Sequence, residues 1–394
     1  MKKSERDEYD KTYGLYKFKR PLPSEIESAM GLVGESILFK KLISADYERF
    51  YDPIKIPEEG DWLMTHKEFG QTYNEYIQND CYQVDPNHNV IYIHRFSSND
   101  DLIKDELFQN VIILLEAFFT GMKVYLYDEG TNYLNNNNEN DNENENNNNE
   151  NNNNNENNNN ENNNENNGEN NIENNNNMEN NVDNNNIIKN AQNEKMAINA
   201  DQLLEKLKLE MPEDAYCVFG IIDNDLYTES LSYNGKRLIK STYCKRSIQD
   251  RVAIFSLARF DPFFNFNGKI NNLSKEQKYK ISLILLKRIC NAITREICYM
   301  FGMKNCIFLS CCMNGTNVTE FDNKQIELCP ICLRKLVTNI KANGEDIKTY
   351  RVKKPLIVFN RFVKMRDALD NFAGIYENEI KWFDARIDFL KGLI

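Results

Sequence analysis

Four cysteines in the C-terminal part of the chain constrain it more than any other feature. Cys306 and Cys311 are followed, after seventeen residues, by Cys329 and Cys332 in the run Cys-Pro-Ile-Cys. Two close pairs separated by a loop of that size suit a tetrahedral Zn²⁺ site, each pair turning both sulfurs inward to about 2.3 Å from the metal. Four thiolates leave no position for water, so such a site is closed and structural, and its binding energy becomes folding energy. Competing readings are buried free thiols, or a redox Cys-x-x-Cys at Cys329 that leaves the upstream pair without a use. Cys312, beside Cys311, is the ambiguity in ligand choice. Cys290 and Cys298 fall at core-like helical spacing and read as buried thiols.

Histidine is scarce. The chain has His66, His88 and His94, and none in its last 300 residues. A second, catalytic metal held by imidazoles therefore has few donors to draw on.

Charge is localised as well. Residues 135–188 are almost entirely Asn, with no Lys or Arg and twelve of the 60 acidic residues; the 48 that remain match the 48 Lys and Arg. The net charge of −12 thus belongs to the tract. The balanced remainder argues against a nucleic-acid partner. The tract cannot bury enough apolar surface to offset the entropy of ordering, so it is expected to be a disordered insertion at a surface loop. The opening MKKSERDEYDKTYG has no apolar h-region, and no run approaches a membrane span. A cytoplasmic or nuclear protein with no membrane partner is expected, and in that reducing setting ten cysteines suggest thiols or metal ligands before disulfides.

Along the chain, residues 1–46 are charged and weakly patterned, and read as a loosely ordered lead-in. Val90–Ile93 reads as a buried strand, Leu107–Phe119 as a helix stopped by Gly121, and Lys123–Tyr127 as a second strand. Strand, helix and strand make a βαβ unit with parallel strands. After the tract come a helix from Asp201, strands at Tyr216–Ile222 and Val252–Arg259, and a long helix from about Ser274 to Phe301 that ends at Gly302. Charge and apolar residues from Arg361 to Leu393 alternate at helical spacing and suggest one or two closing helices. The expected class is α/β: a mixed twisted sheet with packed helices, a cysteine-stapled loop and C-terminal helices. The parts are residues 1–46, a first half over 47–134, the tract at 135–188, a second half over 189–340 and a helical extension over 341–394.

The stretch Glu296-Ile-Cys-Tyr-Met-Phe-Gly302-Met-Lys-Asn-Cys306, with Cys311-Cys-Met313 and Leu328-Cys-Pro-Ile-Cys-Leu-Arg-Lys-Leu336, resembles the core of the archaemetzincins, zinc metalloproteases of the metzincin group. Gly60-Asp-Trp-Leu63, Gly70-Gln-Thr-Tyr73, Phe219–Tyr227 and Val252–Phe260 add to the likeness, which runs from about Pro57 to Leu336 without the tract. The resemblance implies a signature H-E-x-x-H-x-x-G-x-x-H. Laid on this chain, its three zinc-ligand positions hold Arg295, Tyr299 and Asn305; its base position holds Glu296, its glycine is Gly302, and Met313 takes the place of the Met-turn methionine. The four cysteines match, and every catalytic zinc ligand departs.

Arg295 is a permanent cation with no lone pair, and Tyr299 and Asn305 are weak substitutes for imidazole. Without the metal, water keeps its ordinary, very high pKa and Glu296 has only a very poor acid to deprotonate. Glu296 also has a plainer reading, as a carboxylate ion-paired to an arginine in the old cleft. Three functions follow. The first is a pseudoenzyme with one structural zinc, acting as a peptide- or protein-binding scaffold and using Val252–Arg259 as an exposed edge strand for β-augmentation. The second is a working zinc peptidase with unorthodox ligands and Glu296 as base. The third is a zinc-dependent interaction module with an Asn-rich arm. Peptide preference and oligomeric state are not legible in the sequence.

Overall fold

The computed structural model describes residues 18–96, 105–127, 187–189, 196–262, 264, 274–340, 347–372 and 374–394. The Asn-rich tract lies outside them, except that strand β3 (Ile187–Lys189) begins inside the tract's far end. The expected βαβ unit is present. Strand β1 (Val90–Phe96) pairs in parallel with β2 (Lys123–Tyr127), and helix α3 (Asp105–Phe118) connects them. On its other side β1 pairs in parallel with β5 (Ala215–Ile222), which pairs in parallel with β9 (Val252–Ser256). Every residue of β5 and β9 is buried, as expected of central parallel strands covered on both faces.

The sheet does not end at β9. Strand β8 (Cys244–Ser247) runs antiparallel along it, giving the order β2-β1-β5-β9-β8. The expectation that Val252–Arg259 forms an exposed edge is therefore wrong. Its first five residues are an interior strand, and Ala258–Phe260 form a 3₁₀ turn. The true edge is a short polar segment, Cys-Lys-Arg-Ser, which gives no apolar signal. That edge is also blunted, because the Thr242 hydroxyl accepts from Cys244 N at 3.3 Å and donates to Cys244 O at 2.7 Å.

A second sheet has the order β3-β4-β6-β7, from β3 (Ile187–Lys189), β4 (Met196–Asn199), β6 (Asp225–Leu231) and β7 (Arg237–Thr242). Helix α4 (Ala200–Leu209) buries Leu203, Leu204 and Leu207 against Val218, Ile222, Val252 and Ile254 on one face of the main sheet. The opposite face carries the larger core, built on α3 and helix α5 (Lys275–Met300). Ser274 caps α5 by accepting from Gln277 N, and Gln277 returns the bond to Ser274 N.

Of the expected loose lead-in over 1–46, residues 1–17 lie outside the described residues, and the rest carries two packed helices. Helices α1 (Pro23–Met30) and α2 (Ile37–Ser44) bury Ile26, Ala29 and Met30, and Phe39, Leu42 and Ile43, in the main core. Each shows one apolar stripe of three residues, too short to stand out among charges. Their partners come late in the chain: α6 (Pro330–Asn339), α7 (Ile347–Leu369) and α8 (Glu377–Lys391). From α8, buried Arg386 donates to Leu42 O and Ala45 O, satisfying carbonyls at the C-terminus of α2. Arg361 of α7 donates to Phe118 O at the end of α3 and to Glu327 Oε1 at 2.6 Å, in the loop between the cysteine pairs. The closing helices thus lock both the N-terminal helices and the cysteine loop. No helix among the described residues is long and apolar enough to cross a membrane.

What positions the site is the end of α5. Gly302 has φ +80°, with Met303 N donating to Cys298 O and Gly302 N to Tyr299 O, the two bonds of a Schellman turn. Any Cβ at Gly302 would stand 1.6 Å from the Asp80 carbonyl oxygen. Gly302→Ala combines left-handed strain with a backbone clash and should cost about 3 kcal/mol or more, read as a lowered urea midpoint; an unchanged midpoint would mean the turn is not built this way.

Candidate functional site

Two sites hang from this turn, one polar and one of sulfur. Arg295 and Tyr299 are four residues apart on α5 and share a face. The reversal at Gly302 then brings Asn305 back onto that face. Asn305 Oδ1 accepts from Tyr299 OH and, at 3.3 Å, from Arg295 Nη2. The three positions that the resemblance assigns to metal ligands therefore converge, but on one another. Asn305 Nδ2 donates to Glu68 Oε1 at 2.6 Å, and the Trp62 indole donates to the same oxygen at 2.9 Å. The segment Gly60–Leu63 is thereby tied to the centre. Gly70–Tyr73 is tied to the turn, because buried Gln71 donates to Gly302 O and accepts from Lys304 N and Lys335 Nζ.

Glu296 has a side chain only 1 % exposed. Its Oε2 is bonded to Arg246 Nη1 from β8, and its Oε1 lies 3.7 Å from Arg295 Nη1. The Arg246 guanidinium also stacks over the Tyr299 ring at 4.0 Å. Burial pushes the Tyr299 phenol far up, away from the phenolate a metal would need. Burial works against the Arg246 charge, but Glu296, Cys244 and Tyr299 more than offset it and raise its pKa. The plain reading of Glu296 as an arginine-paired carboxylate describes this geometry. Histidines do not rescue the centre. His66 stacks on Trp62 and bonds within its own turn, His88 pairs with Asp85, and His94 lies on β1 against Phe96 and Tyr127. The donor set does not fit a catalytic zinc.

The sulfur site does fit a zinc. Cys306, Cys311, Cys329 and Cys332 are all buried, with their Sγ atoms within 4.8 Å of one another, and Cys306 Sγ is 3.7 Å from Cys329 Sγ. A tetrahedron with bonds of about 2.3 Å has edges of about 3.8 Å, so the spacing already suits a four-thiolate ion. Cys311 Sγ accepts from Cys329 N at 3.2 Å and Met313 N at 3.4 Å, bonds that favour a thiolate. As bare thiols the four compete. Hydrogen bonds from the other three pull Cys306 well down, while burial and donation to Cys306 hold Cys311 and Cys329 well up. A dication relieves that competition by accepting all four as thiolates.

Cys311 joins the four-sulfur group and Cys312 does not. Cys312 turns the other way, with Sγ 3.5 Å from Thr294 Oγ1 and N–H donating to Glu327 O. Met313 is buried beside the cluster and accepts from Cys306 N at 2.8 Å. Cys290 and Cys298 are buried on α5 as expected, and burial pushes the Cys290 thiol up to about 12. Arg246 and Glu68 are the members of the polar centre that the sequence reading missed. Both lie outside the quoted motifs, and only the position of Glu68, two residues before Gly70-Gln-Thr-Tyr, hinted at a role.

The α/β sheet with its antiparallel edge, the long helix ending in a glycine turn and the cysteine-stapled loop beyond it define a metalloprotease-type scaffold with a four-cysteine group that could hold a metal. Comparison with known proteins gives the family. Over 304 residues the chain is 28 % identical to archaemetzincin-2 of Pongo abelii, an alignment covering 73 % of this chain and 69 % of that protein; the human archaemetzincin-2 is 27 % identical over the same shares. Human archaemetzincin-1 is 28 % identical over 162 residues, 36 % of this chain and 31 % of that one. These likenesses support the archaemetzincin family. No family model matches the chain. Among solved structures, the archaemetzincin of Methanopyrus kandleri has a TM-score of 0.37 at 15 % identity, covering 65 % of this chain and 97 % of that one. A zinc-dependent peptidase from Methanocorpusculum labreanum has a TM-score of 0.35 at 17 % identity, covering 62 % and 99 %.

Replacing Cys329 and Cys332 together by Ser should release zinc and unfold the chain at temperatures where the native protein is folded, whereas Cys312→Ser should keep the zinc. Metal analysis alongside circular dichroism reads both, and zinc loss from the Cys312 variant would contradict the ligand assignment.

Proposed function

We propose that this chain is a non-hydrolytic archaemetzincin: it holds one structural zinc on Cys306, Cys311, Cys329 and Cys332, has no catalytic zinc, and acts by binding a peptide or protein. One observation carries the reading. The side chains at the three ligand positions bond to one another through Asn305 Oδ1, and Arg295 places a guanidinium where an imidazole donor is required. A metal ion entering there would meet a permanent cation in a buried site, where repulsion is weakly screened.

The base position supports the same reading. General-base work needs a carboxylate free to accept a proton from a water poised against the substrate. Glu296 instead has a guanidinium at each oxygen. A scaffold that keeps its fold and its structural zinc while closing its centre is left with recognition as its work. Where a ligand would sit is not taken from β9, which is an interior strand.

The test pairs metal counting with turnover. Purified full-length protein should carry one zinc per chain, and its peptide hydrolysis should equal that of Glu296→Ala and lie at the buffer background. Two zincs per chain, with chelator-sensitive cleavage that Glu296→Ala abolishes, would establish the active-peptidase reading instead.

A further inference from the structure

Resting on that metal-free reading, the centre raises a question of charge. Glu296 is a buried carboxylate, and a buried carboxylate persists only with a cation beside it. In a metal centre of this geometry the dication supplies that charge. Here each carboxylate oxygen has its own guanidinium, Arg246 on Oε2 and Arg295 on Oε1. The two arginines lie against one aromatic ring, Arg246 at 4.0 Å and Arg295 at 5.2 Å from the Tyr299 centroid.

We infer that Arg246 and Arg295 together have taken over the electrostatic role of a metal, and that Arg246, which lies outside the ligand motif, is the residue that closes the centre. Its origin gives it that role. Arg295 reaches Glu296 from the preceding position on the same helix, so their pairing needs no tertiary structure. Arg246 comes from β8, fifty residues earlier, and its bond to Glu296 ties the edge of the sheet to α5. Its side chain is 34 % exposed while that of Glu296 is 1 % exposed, so the pair reaches from the interior to solvent. Tyr299 supports it from below as a cation–π platform.

One consequence separates this inference from the loss of ligands alone. Histidines restored at positions 295, 299 and 305 would remove one guanidinium and supply three donors, yet Arg246 would remain on Glu296 at the place where a metal and its water must come. The ligand set alone should therefore not recreate a good metal site.

Two measurements on the full-length chain test this. In thermal unfolding, Arg246→Ala should lower Tm by roughly 5 °C in the native background, a value that allows for partial exposure. The same substitution in the Glu296→Gln background should cost less than half as much, because the charge it serves is gone. Equal costs in the two backgrounds would overturn the inference while leaving the one-zinc reading intact. In the second measurement, the variant carrying Arg295→His, Tyr299→His and Asn305→His is titrated with zinc, with and without Arg246→Ala. Second-zinc affinity should rise at least about tenfold when Arg246 is removed; equal affinities would again overturn the inference. If the histidine variants do not fold, the unfolding cycle decides alone. A native chain that already held two zincs would instead defeat the reading on which this one rests.

Discussion

Both sites depend on a single chain reversal. Gly302 takes a left-handed conformation at the end of α5, against the Asp80 carbonyl, in a space that admits no side chain. Three residues later Asn305 is back against Tyr299 and Arg295, and the next residue, Cys306, opens the sulfur cluster. Buried Gln71 pins the turn by donating to Gly302 O, and Lys335 of α6 in turn donates to Gln71. Helix α6 itself has Cys329 as its N-cap residue and carries Cys332. Turn, cysteine cluster and polar centre therefore form one mechanical unit. A structural ion in the cluster would stiffen the polar centre even where the centre holds no metal.

Charge explains how such a centre persists. A metallopeptidase centre is stable as a group of donors because a dication sits among them. Removing the ion leaves an exposed cluster of imidazoles or a buried uncompensated carboxylate, and the second is the costlier outcome. On the proposed reading, cations and neutral groups stand in this chain where the donors and the ion would be. One of the three positions holds a cation, the two others hold neutral groups bonded to each other, and an arginine from the sheet edge pairs with the glutamate. The result is a paired, hydrogen-bonded core in place of a coordination sphere, with Glu68 and Trp62 completing it from the N-terminal half.

Much of this was legible in the sequence, for reasons that differ by element. The βαβ unit, α5 and the central strands carry strong periodicity or unbroken apolar runs, and their boundaries fall within a few residues of expectation. The cysteine spacing pointed to the four residues whose sulfurs gather in the structure, and Cys311, not Cys312, is the one of that neighbouring pair in the group. Less visible were elements whose burial is tertiary. Helices α1 and α2 are short, and their apolar faces are completed by α6, α7 and α8, some 300 residues away in sequence. Strand β8 is polar because it is an edge. Missing it shifted the expected edge inward to β9 and concealed Arg246, whose partner fifty residues on is set by topology and by no local pattern.

The central claim is that this chain binds metal only through sulfur. Zinc K-edge X-ray absorption on the purified chain tests it most directly, because it reports the atoms around every bound zinc at once. The account predicts a single shell of four sulfurs at about 2.3 Å. An added shell of nitrogen or oxygen near ~2.0 Å, in protein whose Cys306, Cys311, Cys329 and Cys332 are intact, would contradict it.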